Sequence, residues 1–179
     1  MFMSSGTLST QELPLETWVA EQGDQFLVDT KENIGYLIHS DGTYAKTDVL
    51  TGQRRIVRYI GRTYDATTPI GRWDVQSTHI KGDRTTFGPR GLFLRMYKDN
   101  EQTPYGIHGH RTFATMLAEG DRFRSMGCIL VPEDVLTLLE QTYILNSEHL
   151  GIATVYGLEE YAVPEQSPLL ANVRPSWLP

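Results

Sequence analysis

"FLVDTKENIGYLIHSDGTYAKTDVLTG", residues 26–52, alternates short apolar runs with turn residues and carries no helical period. Asp41-Gly42 falls between "YLIHS" and "TYAKTDVL", and an Asp-Gly pair readily takes the positive φ values of a tight hairpin turn. The same texture continues through "RIVRYI" (55–60), "GRWDVQSTHI" (71–80), "GLFLRMY" (91–97) and "YGIHGH" (105–110), each bounded by Gly, Pro, Asp or Thr. The first half therefore reads as a β-meander. The expectation for the whole is a mainly β sandwich or barrel-like domain of short strands.

One helix stands out, in "VPEDVLTLLEQTYIL" at 131–145. Pro132 suits a first helical position, Glu133 and Asp134 place negative charge in the first turn, and Val135, Leu136, Leu138 and Leu139 form an apolar stripe. "GIATVYGLEEYAV" (151–163) follows as a closing strand. Pro164, Pro168, Pro175 and Pro179 argue for an extended tail. Residues 1–25, rich in Ser, Thr and Glu, read as a loosely ordered arm with one short helix over 15–21. The organisation expected is an arm at 1–25, one domain at 26–157 and a Pro-rich tail at 158–179.

A chain of 179 residues buries one core without disulfide staples. With 40% hydrophobic and 21% charged residues and a net charge of −6, it reads as a globular protein whose acidity disfavours nucleic acid and anionic membrane surfaces. No stretch approaches the roughly 18 apolar residues of a membrane span. A single cysteine excludes an internal disulfide and leaves the redox compartment open.

That cysteine lies in "RFRSMGCILVPEDV" (122–135), between a glycine and an isoleucine, just ahead of the helix. A lone cysteine is ordinarily a small buried hydrophobe. Here Gly127 permits tight curvature, so three successive N–H groups leading into the cysteine can converge as an oxyanion hole. Arg122 and Arg124 favour a thiolate if they face the sulfur. A nucleophile needs a base, and of the five histidines His108 is the best placed: it ends a strand in "PYGIHGH", where the Gly109 carbonyl can orient the ring. His110 would share its face if the strand continued. A zinc set of His108, His110 and Cys128 is the rival reading, and His39, His79 and His149 read as surface or core-edge residues.

"TPIGRWDV" (68–75), "YGIHG" (105–109) and "SMGCI" (125–129), in that order, resemble the signature of the YkuD-type L,D-transpeptidase catalytic domain. The resemblance covers roughly residues 26–157. It implies a YkuD-like β-sandwich of mixed sheets, with the principal helix following the cysteine, acting on peptidoglycan stem peptides. By position, Cys128 is the nucleophile, His108 the base, and Gly109 the carbonyl that orients it. The N–H groups of Met126, Gly127 and Cys128 hold the oxyanion, Tyr105, Ser125 and Arg124 contact substrate, and Thr68, Pro69 and Gly71 form a structural turn. No cofactor or metal is implied, carbapenems are expected acylating probes, and the segments 98–105 and 111–123 are expected to flank the cleft.

Two positions depart from the family pattern: its histidine before Gly-Cys is Met126 here, and the polar residue two after the cysteine is Leu130. How the donor's charged groups are held is therefore open. So is the choice among an L,D-transpeptidase, an L,D-carboxypeptidase, a wall-targeting effector with the same acyl-enzyme and a noncatalytic peptidoglycan-binding domain. The resemblance implies the periplasm or cell envelope. Residues 1–18 lack a basic region followed by an apolar run, so the expectation is a removed leader or another export route.

Overall fold

A computed structural model describes residues 11–158. Its main element is one curled eight-stranded sheet with mixed pairing. Its strands, in chain order, are β1 (Gln25–Asp29), β2 (Ile34–Ile38), β3 (Tyr44–Asp48), β7 (Gly71–Ile80), β8 (Leu92–Lys98), β9 (Glu101–His108), β11 (Ile129–Leu130) and β12 (Leu150–Val155). Side by side they run β11-β9-β8-β7-β12-β1-β2-β3. Two small ribbons accompany it: β4 (Thr51–Gly52) with β10 (Phe123–Ser125), and β5 (Ile56–Tyr59) with β6 (Arg62–Asp65). Two helices complete the domain, α1 (Phe113–Ala118) and α2 (Glu133–Leu145).

The expected hairpin forms as β2 and β3, paired from Ile34–Asp48 to Ile38–Tyr44, with Gly42 at positive φ in the turn. β1 is buried throughout and pairs with β12 in parallel, Phe26 opposite Ile152. Its alternate side chains serve two apolar layers, because successive residues of a strand point to opposite faces. Phe26 and Val28 join Ile152, Trp73 and Leu94 in the main core, together with Val135, Leu136 and Leu139 of α2. Leu27 joins Tyr36, Ile38, Ala153 and Val155 on the other side. A third cluster sets Phe113 and Met116 of α1 against Leu50 and Leu130.

Four expectations change. The loose arm is, from residue 11 onward, part of the domain: the Leu13 N–H donates to the Tyr44 carbonyl and the Tyr44 N–H to the Gln11 carbonyl across the edge of β3, and Leu13 and Leu15 pack on the core. Trp18 is only 5% exposed and stacks on His39 with ring centroids 3.7 Å apart. The helix expected over 15–21 is a single 3₁₀ turn, Leu15–Thr17. The strand expected to run to residue 110 ends at His108. The closing strand expected over 151–163 ends at Val155, and the tail beyond residue 158 lies outside the described residues.

Truncating Trp18 to Ala therefore removes a buried indole and is expected to destabilise the domain by about 3 kcal/mol. Urea unfolding measures this, and an unchanged midpoint would mean that residues 11–24 lie outside the cooperative unit.

Candidate active site

The lone cysteine and the favoured histidine are brought together by backbone pairing. β11 runs parallel to β9, with Ile129 opposite Ile107 and Leu130 opposite His108. Residues opposite one another in a parallel pair face the same side, and so do residues two apart along a strand. Cys128, the residue before β11, thus lies beside Gly106 and on the same face as His108. The influence of the Gly106 backbone on the thiol, which lowers its pKa, agrees with that register.

The turn that presents the cysteine is held from below. Ser125 Oγ donates to the Cys128 carbonyl and accepts the N–H of Gly127 at 3.1 Å. Thr68, read as part of a structural turn, reaches further: its hydroxyl donates to the Gly127 carbonyl at 2.8 Å and accepts the N–H of Gly52 at 2.8 Å. Gly127 has φ +121°, and a Cβ there would stand 2.7 Å from the ring of Tyr105, so both backbone and space demand glycine. Because Ser125 engages the Gly127 N–H, the three expected donors are not equivalent.

His108 is 4% exposed, packed between the rings of Phe87 and Phe93 at 4.8 and 5.6 Å. Its Nδ1 donates to the Gly109 carbonyl at 2.6 Å. A carbonyl only accepts, so Nδ1 carries the proton and the neutral ring keeps its lone pair on Nε2. Burial pushes the His108 pKa down to about 4, with the Gly109 hydrogen bond acting in the opposite direction. Burial likewise pushes the Cys128 thiol up to about 11, opposed by the Gly106 backbone and by the charges of Arg95 and Lys81. The resting pair is a thiol beside a neutral imidazole.

The arginines expected to favour a thiolate do not serve it. Arg122 is paired with Asp48 at 2.8 Å and Arg124 with Glu119 at 2.9 Å. His110 lies outside β9, half-buried, and accepts the N–H of Thr112 at 3.1 Å. The rival zinc set is not assembled: among the described residues the one convergent trio of ligand-type side chains is Glu21, Asp24 and His39. That trio is accounted for by a buried hydrogen bond of 2.6 Å between Asp24 and His39 beneath the Trp18 ring. His39 is thus a core residue, whereas His149 lies exposed beside Asp74 and His79 half-buried beside Ser77.

Two hollows meet at Cys128. A cleft of about 730 Å³ is walled by Tyr59, Ile60, Arg62 and Tyr64 of the β5–β6 hairpin, and by Pro104 and Tyr105. A smaller hollow of about 280 Å³ joins Cys128 to His108, with His110, Arg124 and Ser125 at its sides. Met126 borders both. Segment 98–105 contributes to the larger hollow as expected, whereas 111–123 reaches only the smaller, through Met116. The hairpin as a wall was missed. Its turn is Ile60-Gly61, with Ile60 at φ +48°, and a β-branched residue gives no turn signal. Helix α1 was missed as well, although Phe113, Met116 and Leu117 have helical spacing and Gly120 follows the C-cap at φ +85°. Leu130 is buried beneath α1, which accounts for an apolar side chain two residues after the cysteine.

Comparison with known proteins places this geometry in a class, a mainly β domain whose solved neighbours are L,D-transpeptidase folds. The model of the YkuD family, described as the L,D-transpeptidase catalytic domain, matches residues 23–154, and the chain belongs to that family. No curated protein matches the chain. An L,D-transpeptidase from Xylanimonas cellulosilytica is 19% identical over 78% of this chain and 63% of its own, with a TM-score of 0.54. Bd1075 of Bdellovibrio bacteriovorus is 16% identical over 84% of this chain and 52% of its own, with a TM-score of 0.52. At these identities the likeness is one of fold, and the chain spans less than two thirds of either neighbour.

Burial of His108 has a thermodynamic consequence. Its pKa is about 4 folded against 6.5 unfolded. Between these values the unfolded chain binds the extra proton, so this contribution to stability is present above about pH 6.5 and is lost as pH falls toward 4. Asp24, raised by burial to about 6, acts with the opposite sign. The difference between wild type and His108→Gln isolates the histidine: wild type is expected to lose about 3 kcal/mol more over that range, measured by urea unfolding at each pH. Parallel profiles would contradict the neutral, buried assignment.

Proposed function

We propose that the chain is a cysteine-dependent acyltransferase of peptidoglycan stem peptides, an L,D-transpeptidase acting at the cell wall. The observation that carries this reading is the β9–β11 register, which sets Cys128 and His108 on one face and into one hollow within a YkuD domain. With Nδ1–H held by Gly109, His108 Nε2 accepts the thiol proton as the sulfur attacks the carbonyl of the donor's third residue. The wide gap between the two pKa values means that proton transfer accompanies attack and does not precede it as a standing ion pair. The N–H groups of Met126 and Cys128 receive the oxyanion, with Gly127 held in place by Ser125 and Thr68.

Collapse of that intermediate expels the terminal D-alanine, whose amine takes the proton from His108, and leaves a thioester on Cys128. An incoming amine then gives its proton to His108 and accepts the acyl group. Leaving group and acceptor both exchange protons with His108, so both occupy the smaller hollow, whose sides carry His110 and Arg124, the latter paired with Glu119. The acyl portion occupies the larger cleft against Tyr105 and the hairpin. Arg62 is the one charged side chain on its wall among the described residues.

Incubation with a tetrapeptide is expected to add the tripeptidyl mass to Cys128, and a carbapenem is expected to acylate the same sulfur. Cys128→Ala is expected to abolish both adducts, and His108→Ala to slow their formation by about 10²–10⁴-fold. An adduct that persists in Cys128→Ala refutes the assignment. Muropeptide analysis distinguishes the acceptors, since cross-linked dimers report transfer to an amine and free tripeptide alone reports hydrolysis.

A further inference from the structure

Glu133 begins α2 directly behind the loop that follows His108, and helix-dipole stabilisation alone does not account for its surroundings. Both carboxyl oxygens are buried and neither has a hydrogen-bond partner. Buried unpaired carboxyl oxygens are expensive, and exposure at the start of a helix would remove the penalty. The side chain is instead turned inward against two glycines. A Cβ built on Gly109 or on Gly88 would collide with Oε1, so the glycine Cα–H groups face the carboxylate. Gly88 has φ +80°, and a Cβ on it would also stand 3.3 Å from the Gly109 Cα. Carboxylate, Gly88 and Gly109 form one packed stack, and the Gly109 carbonyl in that stack holds His108 Nδ1.

We infer that Glu133 is a positioning residue for His108, bracing the Gly109 carbonyl on Nδ1 and setting a negative charge behind it that favours the imidazolium formed when the ring takes the Cys128 proton. The proton moves from Sγ to Nε2, Nδ1 keeps its own, and Glu133 neither gains nor loses one. The other groups around the ring do not supply that charge: His110 and Lys81 disfavour the imidazolium, whereas the backbone of Gly109 and Thr86 favours it. Glu133 is itself faced by Arg90, whose guanidinium is committed to Glu140 and Thr137. Its neighbour Asp134 is exposed. Burial raises the Glu133 pKa and Arg90 lowers it.

The inference rests on the proposed Cys128–His108 pairing and is tested without any peptide substrate. The rate of Cys128 alkylation by iodoacetamide is measured from pH 2 to 10 on the full chain, with thermal unfolding alongside. Glu133→Gln keeps the shape and removes the charge. It is expected to react about tenfold more slowly at pH 7, and the acid limb set by His108 is expected to move to lower pH by about one unit. Glu133→Asp keeps the charge with a shorter reach, and is expected to hold the wild-type limb at a reduced rate. Equal rates and limbs in wild type and Glu133→Gln overturn the inference. Equal losses in Glu133→Asp and Glu133→Gln with an unmoved limb also overturn it, assigning Glu133 to packing alone. If Glu133→Gln does not fold, the Glu133→Asp limb decides: a displaced limb refutes the inference and a retained one supports it. A His108→Gln variant that alkylates like wild type removes the pairing itself, whereas a slow His108→Gln beside a normal Glu133→Gln removes only the role of Glu133.

Discussion

Two residues of strand, Ile129 and Leu130, join the cysteine turn to the rest of the sheet. A strand this short has little pairing energy of its own, and its position depends on being bonded on both sides. On one side it pairs with β9, and the Val131 N–H continues that ladder to the His108 carbonyl at 3.0 Å. On the other, Leu50 and Leu130 exchange two backbone hydrogen bonds of 3.0 and 2.8 Å. A slip of one residue against β9 would turn Cys128 to the opposite face from His108, because side chains alternate. Burial of Ile129 in the main core and of Leu130 under α1 opposes that slip, since it would exchange their environments.

The same burial that fixes the register sets the electrostatics. Rings of Phe87 and Phe93 around His108 exclude the water that would solvate an imidazolium, and the core beneath Cys128 does the same for a thiolate. Each charged form is disfavoured alone. The two charges appearing together, next to each other, are far less disfavoured, because each then compensates the other in surroundings of low polarity. In the proposed reaction, a site built this way holds little thiolate at rest and forms it as the sulfur attacks. The Gly109 carbonyl is the fixed dipole that keeps the ring in the tautomer able to respond.

How much of this could be read beforehand depended on whether the signal was local. The Asp41-Gly42 turn, the stripe of α2 and the His-Gly and Gly-Cys pairs carry their chemistry within a few residues, and the strands and principal helix lie where those signals put them. Trp18 looked like one aromatic residue in a polar arm; its partner His39 lies across the β1–β2 hairpin, so the contact that docks the segment has no local trace. The β5–β6 hairpin was hidden because its turn places Ile60 at positive φ. Helix α1, at six residues, is too short to hold its shape by propensity and depends on Leu50 and Leu130 beneath it. Glu133 read as an ordinary first-turn acid because its packing against Gly88 and Gly109 joins three separate parts of the chain.

Met126 and Leu130, the two departures from the family pattern, share a physical explanation. Leu130 is taken into the cluster that seats α1, and a charged side chain there would be buried without a partner. Met126 lies between the two hollows, and its sulfur accepts a hydrogen bond of 3.5 Å from Gln53. The charged side chain on the wall of the larger cleft is then Arg62 of the hairpin, while Arg124 beside the smaller hollow is paired with Glu119. The floor is rigid, tied down by Ser125, Thr68 and the β11 bonds, while the hairpin carries Ile60 at its turn with 81% exposure and Tyr59 beside it. In the proposed reaction, separating a fixed Cys128–His108 pair from a projecting wall lets recognition change without moving the sulfur. In the proposed reaction, the charge that selects the donor therefore belongs to the β5–β6 hairpin and no longer to the strand that follows the cysteine.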